Sequence, residues 1–157
     1  MASRSATLLA LALLATAAVA PAHAEVGADG LISVKRVYPI AETIKRIKAD
    51  IAEKGITFFQ EIDQTKLAAG AGIALPPSSL LIFGNPGLGS QFITAKPQAG
   101  MDWPVRLFVH QDERGDVWAT YTDFGWIASR HGITNRSEQF GMASKVIGSI
   151  TSSVQAK

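Results

Sequence analysis

The 157-residue sequence predicts a single α+β domain. Three observations carry that expectation. Five short segments rich in apolar and β-branched residues are bounded by Gly, Pro, Asn or Asp. Two longer segments repeat apolar residues at helical spacing, and a hairpin signal, Glu113-Arg114-Gly115-Asp116, joins two of the strand-like segments.

Taken in order, Leu31 to Tyr38 reads as a first strand, with Lys35 and Arg36 marking a wet edge. Pro39 starts a helix in which Ile40, Ile44, Ile47 and Ile51 share a stripe and Gly55 supplies a left-handed end. The pairs Glu42 with Arg46 and Asp50 with Lys54 fit the solvated side of that helix. Ile56 to Ile62 is a second strand, and Asp63 caps a short helix from Gln64 to about Ala69. Gly70, Gly72 and Pro76-Pro77 lead to Leu80–Phe83, an apolar run without alternation, as expected of a central strand covered on both faces. Gly87 to Ala95 is a short helix and Lys96 to Gly100 a loop. Val105, Leu107 and Val109 then alternate with Arg106, Phe108 and His110, and Val117 to Thr122 returns antiparallel with Trp118 and Tyr121 on opposite faces. Asp123 caps a helix over Phe124 to Arg130, stopped by Gly132. Asn135 and Glu138 have capping-box spacing ahead of a last helix lined by Phe140, Ala143, Ile147, Ile150 and Val154.

The N-terminus predicts export. Arg4 is a positive n-region, Ala6 to Val19 an apolar run, and Ala22-His23-Ala24 a small-x-small cleavage site. Residues 1–24 are thus expected to be a signal peptide, 25–30 a short disordered leader and 31–157 the domain, with a periplasmic or secreted location. Cleavage leaves 133 residues (157 minus 24), enough for one modest core. No cysteine is present, which excludes disulfides, a thiolate metal site, a c-type haem attachment and a lipidated N-terminal cysteine. Net charge is +2, and +1 without Arg4, with both signs interleaved, so no nucleic-acid-binding stripe and no stable membrane insertion after cleavage are expected.

The best candidate for a site is the strand-to-helix corner within SSLLIFGNPGLGSQFITAKP, residues 78–97. Gly84 and Gly89 have the spacing of a phosphate-binding loop, but Ser90 stands in the lysine position and Gln91 in the hydroxyl position, which rules out nucleotide hydrolysis. What remains is a set of polar groups and free backbone N–H donors at a helix start, suited to a small anionic ligand: Gly84, Asn85, Gly87, Gly89, Ser90 and Gln91, with Tyr121 nearby. The competing reading is a tight corner whose glycines serve backbone geometry alone.

GITFFQEID, AGAGIALPPSSLLIFGNPGLGSQFI, MDWPVRLFVHQD, GDVWATY and IASRHGI resemble successive blocks of the domain-of-unknown-function 302 family over roughly Tyr38 to Ile133. The resemblance implies a TBP-like fold, a curved antiparallel sheet with long helices packed on one face, and implies no established activity. The chain departs from the family pattern at Gln64, where members often carry His, and near Pro76, where they often carry Arg.

No residue set dictates a reaction. His110 and His131 lack metal-ligand spacing, and Gly87-Leu88-Gly89-Ser90-Gln91 lacks the second glycine of a nucleophile elbow. The sequence therefore favours a cell-envelope domain that binds or interacts with a small ligand, with no cofactor, and leaves a homodimer open. An alternative is a small enzyme acting on an anionic or carbonyl-bearing substrate, with Asp63 or Asp102 as base and the amides of Gly87 to Ser90 as an anion hole. A third reading is a haem or metal carrier using His110, His131, Met101 or Met142. Structurally, Asp63 reads as a helix cap, Asp102 as a loop-fixing acceptor and His131 as a helix C-terminal residue.

Overall fold

A computed structural model describes residues 25–155; the expected signal peptide, residues 1–24, lies outside the described residues. Five strands, β1 (Leu31–Arg36), β2 (Thr57–Asp63), β3 (Ser78–Gly84), β4 (Val105–Gln111) and β5 (Val117–Thr122), form one sheet in the order β1-β5-β4-β3-β2. Every pairing is antiparallel. Between them run α1 (Ile40–Glu53), α2 (Gln64–Gly70), α3 (Pro86–Ala95), α4 (Phe124–His131) and α5 (Ser137–Ser152), with a 3-10 turn at Pro97–Met101. This is the predicted α+β architecture, with two long helices on one face.

Strand alternation decides where the core lies. Ile32 and Val34 of β1, Leu81 and Phe83 of β3, Leu107 and Val109 of β4, and Val117, Ala119 and Tyr121 of β5 all point to one face. Against them pack Thr43, Ile47 and Ile51 of α1 and Phe140, Ala143, Ile147 and Ile150 of α5. Ile40 and Ile44 are only partly buried, because the stripe of α1 is rotated toward Thr43, whose hydroxyl donates to the Tyr38 carbonyl at 3.0 Å. Gly55 and Gly132 end their helices in the left-handed region, at φ 64° and 63°, as expected of glycines in those positions.

A buried cation joins the sheet edge to α5. Arg36 is 4% exposed; its Nε donates to the Val34 carbonyl at 2.9 Å and its Nη1 to the Thr151 carbonyl, so the guanidinium covers the carbonyl-rich end of α5. Burial lowers its pKa to about 10, partly opposed by nearby Tyr121.

Four expectations are corrected. β3 is not covered on both faces: Leu81 and Phe83 are buried, while Leu80 and Ile82 are half-buried and share the opposite face with Phe108, His110 and Trp118. The unbroken apolar run reflects this second, partly apolar face, and the middle strand of the sheet is β4. Residues 25–30 are not a disordered leader. Val26 bridges Ile32, Gly27 N–H donates to the Leu31 carbonyl at 2.8 Å, and Gly30, at φ 77°, lies so close under Trp126 that a Cβ would stand 2.3 Å from the indole. Third, Asn135 does not cap α5: Arg136 holds that position at φ −137° and ψ 30° without a side-chain bond. Lastly, the loop after Ala95 contains a 3-10 turn. Among the described residues no helix is long and apolar enough to cross a membrane.

The packing is testable. Ile147→Asp places an unpaired carboxylate in a site that is 2% exposed, a cost of several kcal/mol against a total stability of about 5–15 kcal/mol for a domain. Thermal melting is expected to show a large loss of Tm or no cooperative transition, and a wild-type Tm contradicts this packing.

Candidate ligand-binding site

The glycine-rich corner is built around an indole. Gly84 ends β3, Asn85 caps α3 and Pro86 takes its first position, so the chain turns sharply beside the segment that leads into β4. That segment ends in Asp102-Trp103-Pro104, and the Trp103 ring lies across the corner. A Cβ on Gly89 would stand 1.9 Å from the indole nitrogen, and one on Gly84 3.0 Å from it. Both glycines have negative φ, so what they provide here is room rather than a left-handed conformation. A bulge in β2 supplies Phe59, which meets Trp103 edge to face with centroids 6.2 Å apart.

Under this corner lies a cavity of about 440 Å³. Its floor is made by Phe83, Phe92, Phe124 and Ile147, all buried, with Phe92 stacked on Phe140 at 4.1 Å. Trp103, Leu88, Ile56 and Val105 form half-buried walls. The exposed lining residues, Lys54, Asn85, Lys145, Val146 and Ser149, mark the mouth. Lys54 is paired with Asp50, whose other carboxylate oxygen is buried without a hydrogen-bond partner, while Lys145 enters no ion pair among the described residues.

Three of the sequence-predicted residues, Gly84, Asn85 and Gly89, line this cavity. The expected cradle of free amides does not form. The Asn85 side chain accepts from Leu88 N–H at 3.1 Å, Gly89 N–H donates to the Asn85 carbonyl at 2.9 Å, and Pro86 has no N–H, which leaves the first turn only Gly87. Ser90 is exposed and outside the lining, and the Gln91 amide donates back to the Gly87 carbonyl at 3.3 Å. Tyr121 sits two strands away on the core face beside Thr151 and Arg36, and burial raises its pKa.

The two candidate bases stand apart. Asp63 caps α2 by accepting from Lys66 N–H at 2.8 Å and pairs across to Ser79. Asp102 lies at the other end of the sheet, beyond Val105, which is opposite Phe83. Ser79 and Phe83 alone are four residues apart, about 13 Å along a strand. Asp102 is buried and accepts from His131 Nε2 at 2.6 Å, Arg130 Nη1 at 3.2 Å and Arg106 Nη2 at 3.2 Å. It ties the start of β4 to the end of α4, holding the chain on which Trp103 rides. His131 is therefore a partner of Asp102 as well as a helix-end residue. His110 lies on the open sheet face stacked on Phe108, its pKa lowered by desolvation, and Met101 and Met142 are exposed.

Sequence reasoning missed Trp103, Lys54, Lys145 and the aromatic floor as one site. The available signal was the pair of glycines five positions apart with a tryptophan in the next segment, which becomes readable only once β3 and β4 are neighbours.

A family model described as "Domain of unknown function DUF302" matches residues 32–153, wider than the blocks that suggested it. Among curated proteins, the chain is 37% identical over 113 residues to "Fluoride-specific ion channel FluC 1" of Brucella suis biovar 1 and to a protein of the same name from Brucella abortus biovar 1. The match takes in 72% of this chain but only 44% and 42% of those relatives, so the chain spans less than half their length. Among solved structures, the "Crystal structure of uncharacterized conserved protein DUF302 from Bacillus stearothermophilus" superposes with a TM-score of 0.74 at 16% identity, covering 82% of this chain and all of that one; it shows the fold.

The role of the corner glycines gives opposite outcomes for two similar changes. Gly141→Ala in α5 meets nothing within 4 Å and gains about 1 kcal/mol of helix propensity, so Tm rises. Gly89→Ala makes the same gain but displaces Trp103, at an overpacking cost of about 1–3 kcal/mol, so Tm falls and tryptophan fluorescence shifts. Equal rises in Tm for both contradict the contact.

Proposed function

The chain belongs to the DUF302 family, and from that premise we propose that it is a non-catalytic binding domain of the cell envelope that takes a small, largely apolar ligand into the cavity beneath Trp103. The observation that carries this is the cavity itself. Its volume, about 440 Å³, falls within the ~300–1,000 Å³ range of small-molecule sites, and its apolar walls end in a few polar groups, as such sites do. A closed core would have filled that space, since protein interiors pack to near-crystalline density.

The enzymatic alternative has less support. Asp102 already accepts from three donors, Asp63 caps a helix, and neither lines the cavity. The channel named in the Brucella relatives is a property of proteins more than twice the length of the shared segment, and a conducting role is no part of the proposal.

Binding is checked with the neutral, environment-sensitive dye N-phenyl-1-naphthylamine. Its fluorescence is expected to rise and shift to the blue on adding protein, and Val146→Trp, which fills the mouth from an exposed position 37% open to solvent, is expected to abolish the change while Tm stays close to wild type. Equal dye binding by wild type and the folded Val146→Trp variant contradicts the site. The envelope location rests on Arg4, the apolar run and Ala22-His23-Ala24. N-terminal sequencing of the exported protein is expected to begin at Glu25, and an intact Met1 form as the sole product overturns it.

A further inference from the structure

We infer that the cavity selects an amphipathic monoanion, a carboxylate with a single aliphatic or aryl tail of about ten to fifteen non-hydrogen atoms in all, held by its head group between Lys145 and Lys54 at the mouth. This rests on the binding role proposed above and adds the chemical class of the ligand.

Size comes from the volume. At about 30 Å³ for each water displaced, 440 Å³ is roughly fifteen water volumes, which bounds the ligand at a medium-length chain or a bicyclic ring. The floor of Phe83, Phe92, Phe124 and Ile147 offers no hydrogen-bonding side chain, so the part of the ligand that lies there must be apolar.

Charge comes from the mouth. Among the described residues, the charged groups lining the cavity are two ammonium groups and no carboxylate. Lys54 is paired to Asp50, so the group Lys54, Lys145 and Asp50 carries one surplus positive charge. One negative charge on the ligand balances it. A dianion such as a phosphate monoester would bring a second charge that the one surplus cation does not balance, and a cation would face two like charges with no acceptor carboxylate among the described lining residues. Lys145 reaches the mouth from α5, with Ser149 one turn further along the same face, and Asn85 comes from the corner beside Gly84. The hydroxyl and the amide supply neutral donors that orient a carboxylate, whose four lone-pair sites outnumber the donors of either lysine alone.

The test is competition against the neutral dye, using decanoate, decanol and decyltrimethylammonium below their micelle concentrations. Decanoate is expected to displace the dye about five- to tenfold more tightly than decanol, and decyltrimethylammonium to displace it least. The decanoate-to-decanol ratio is expected to fall toward one in Lys145→Gln and to shrink on raising salt from about 0.05 to 0.5 M, whereas Lys145→Arg retains most of it. Equal displacement by decanoate and decanol, or a ratio unchanged in Lys145→Gln, overturns the anion preference while dye binding still supports the cavity as a site. Failure of the dye and of all three competitors to bind overturns both.

Discussion

The contact on which the rest depends is the Trp103 indole lying against the backbone of Gly84 and Gly89. With a Cβ at Gly89 the ring would have to move, because the atom would fall 1.9 Å from the indole nitrogen. Without it, the ring approaches both the end of β3 and the first turns of α3, and so fixes the angle at which that helix leaves the sheet. Phe92, one turn further on, then reaches Phe140 on α5 and Phe124 at the start of α4. Three elements are brought together by aromatic contacts that follow from one backbone approach. The gap left beneath them is the cavity.

Two polar anchors keep this arrangement in place. Asp102, one residue before Trp103, is buried and held by His131, Arg130 and Arg106. A buried carboxylate stripped of its donors is costly, commonly by about 3–5 kcal/mol, so the cluster specifies one path for the chain into β4. Arg36 plays the corresponding part at the far edge of the sheet by donating to the Thr151 carbonyl in the last turn of α5. The two long helices pack on the opposite side of the sheet from Leu80, Ile82, Phe108 and Trp118, which are half-buried. The cavity beneath Trp103 lies on the helical side.

Much of the fold was legible because it rests on local rules. The stripes of α1 and α5, the caps Asp63 and Asp123, and the glycines that end α1 and α4 are each encoded by local spacing. Where a decision depended on distant contacts, the reading went astray. Leu80–Phe83 looks the same whether a sheet has one covered face or two, and Asn135 has the right spacing for a cap that the backbone at Arg136 does not adopt. In residues 25–30, Val26 and Gly27 bond to Ile32 and Leu31 nearby, but Gly30 is placed by Trp126, almost a hundred residues away, which no local pattern announces. At the corner, Gly84, Asn85 and Gly89 line the cavity, while the side-chain oxygen of Asn85 and the amide of Gln91 bond within the corner itself, which no local spacing rule announces. Trp103, Lys54 and Lys145 come from three other segments, and no spacing rule relates them.

The central question is whether Gly89 is glycine because of Trp103. A double-mutant cycle measures this directly, with urea unfolding of wild type, Gly89→Ala, Trp103→Leu and the pair. Gly89→Ala is expected to destabilise the wild-type background and to stabilise the Trp103→Leu background, where only the helix-propensity gain of about 1 kcal/mol remains. The same sign and size of effect in both backgrounds would contradict that dependence on Trp103.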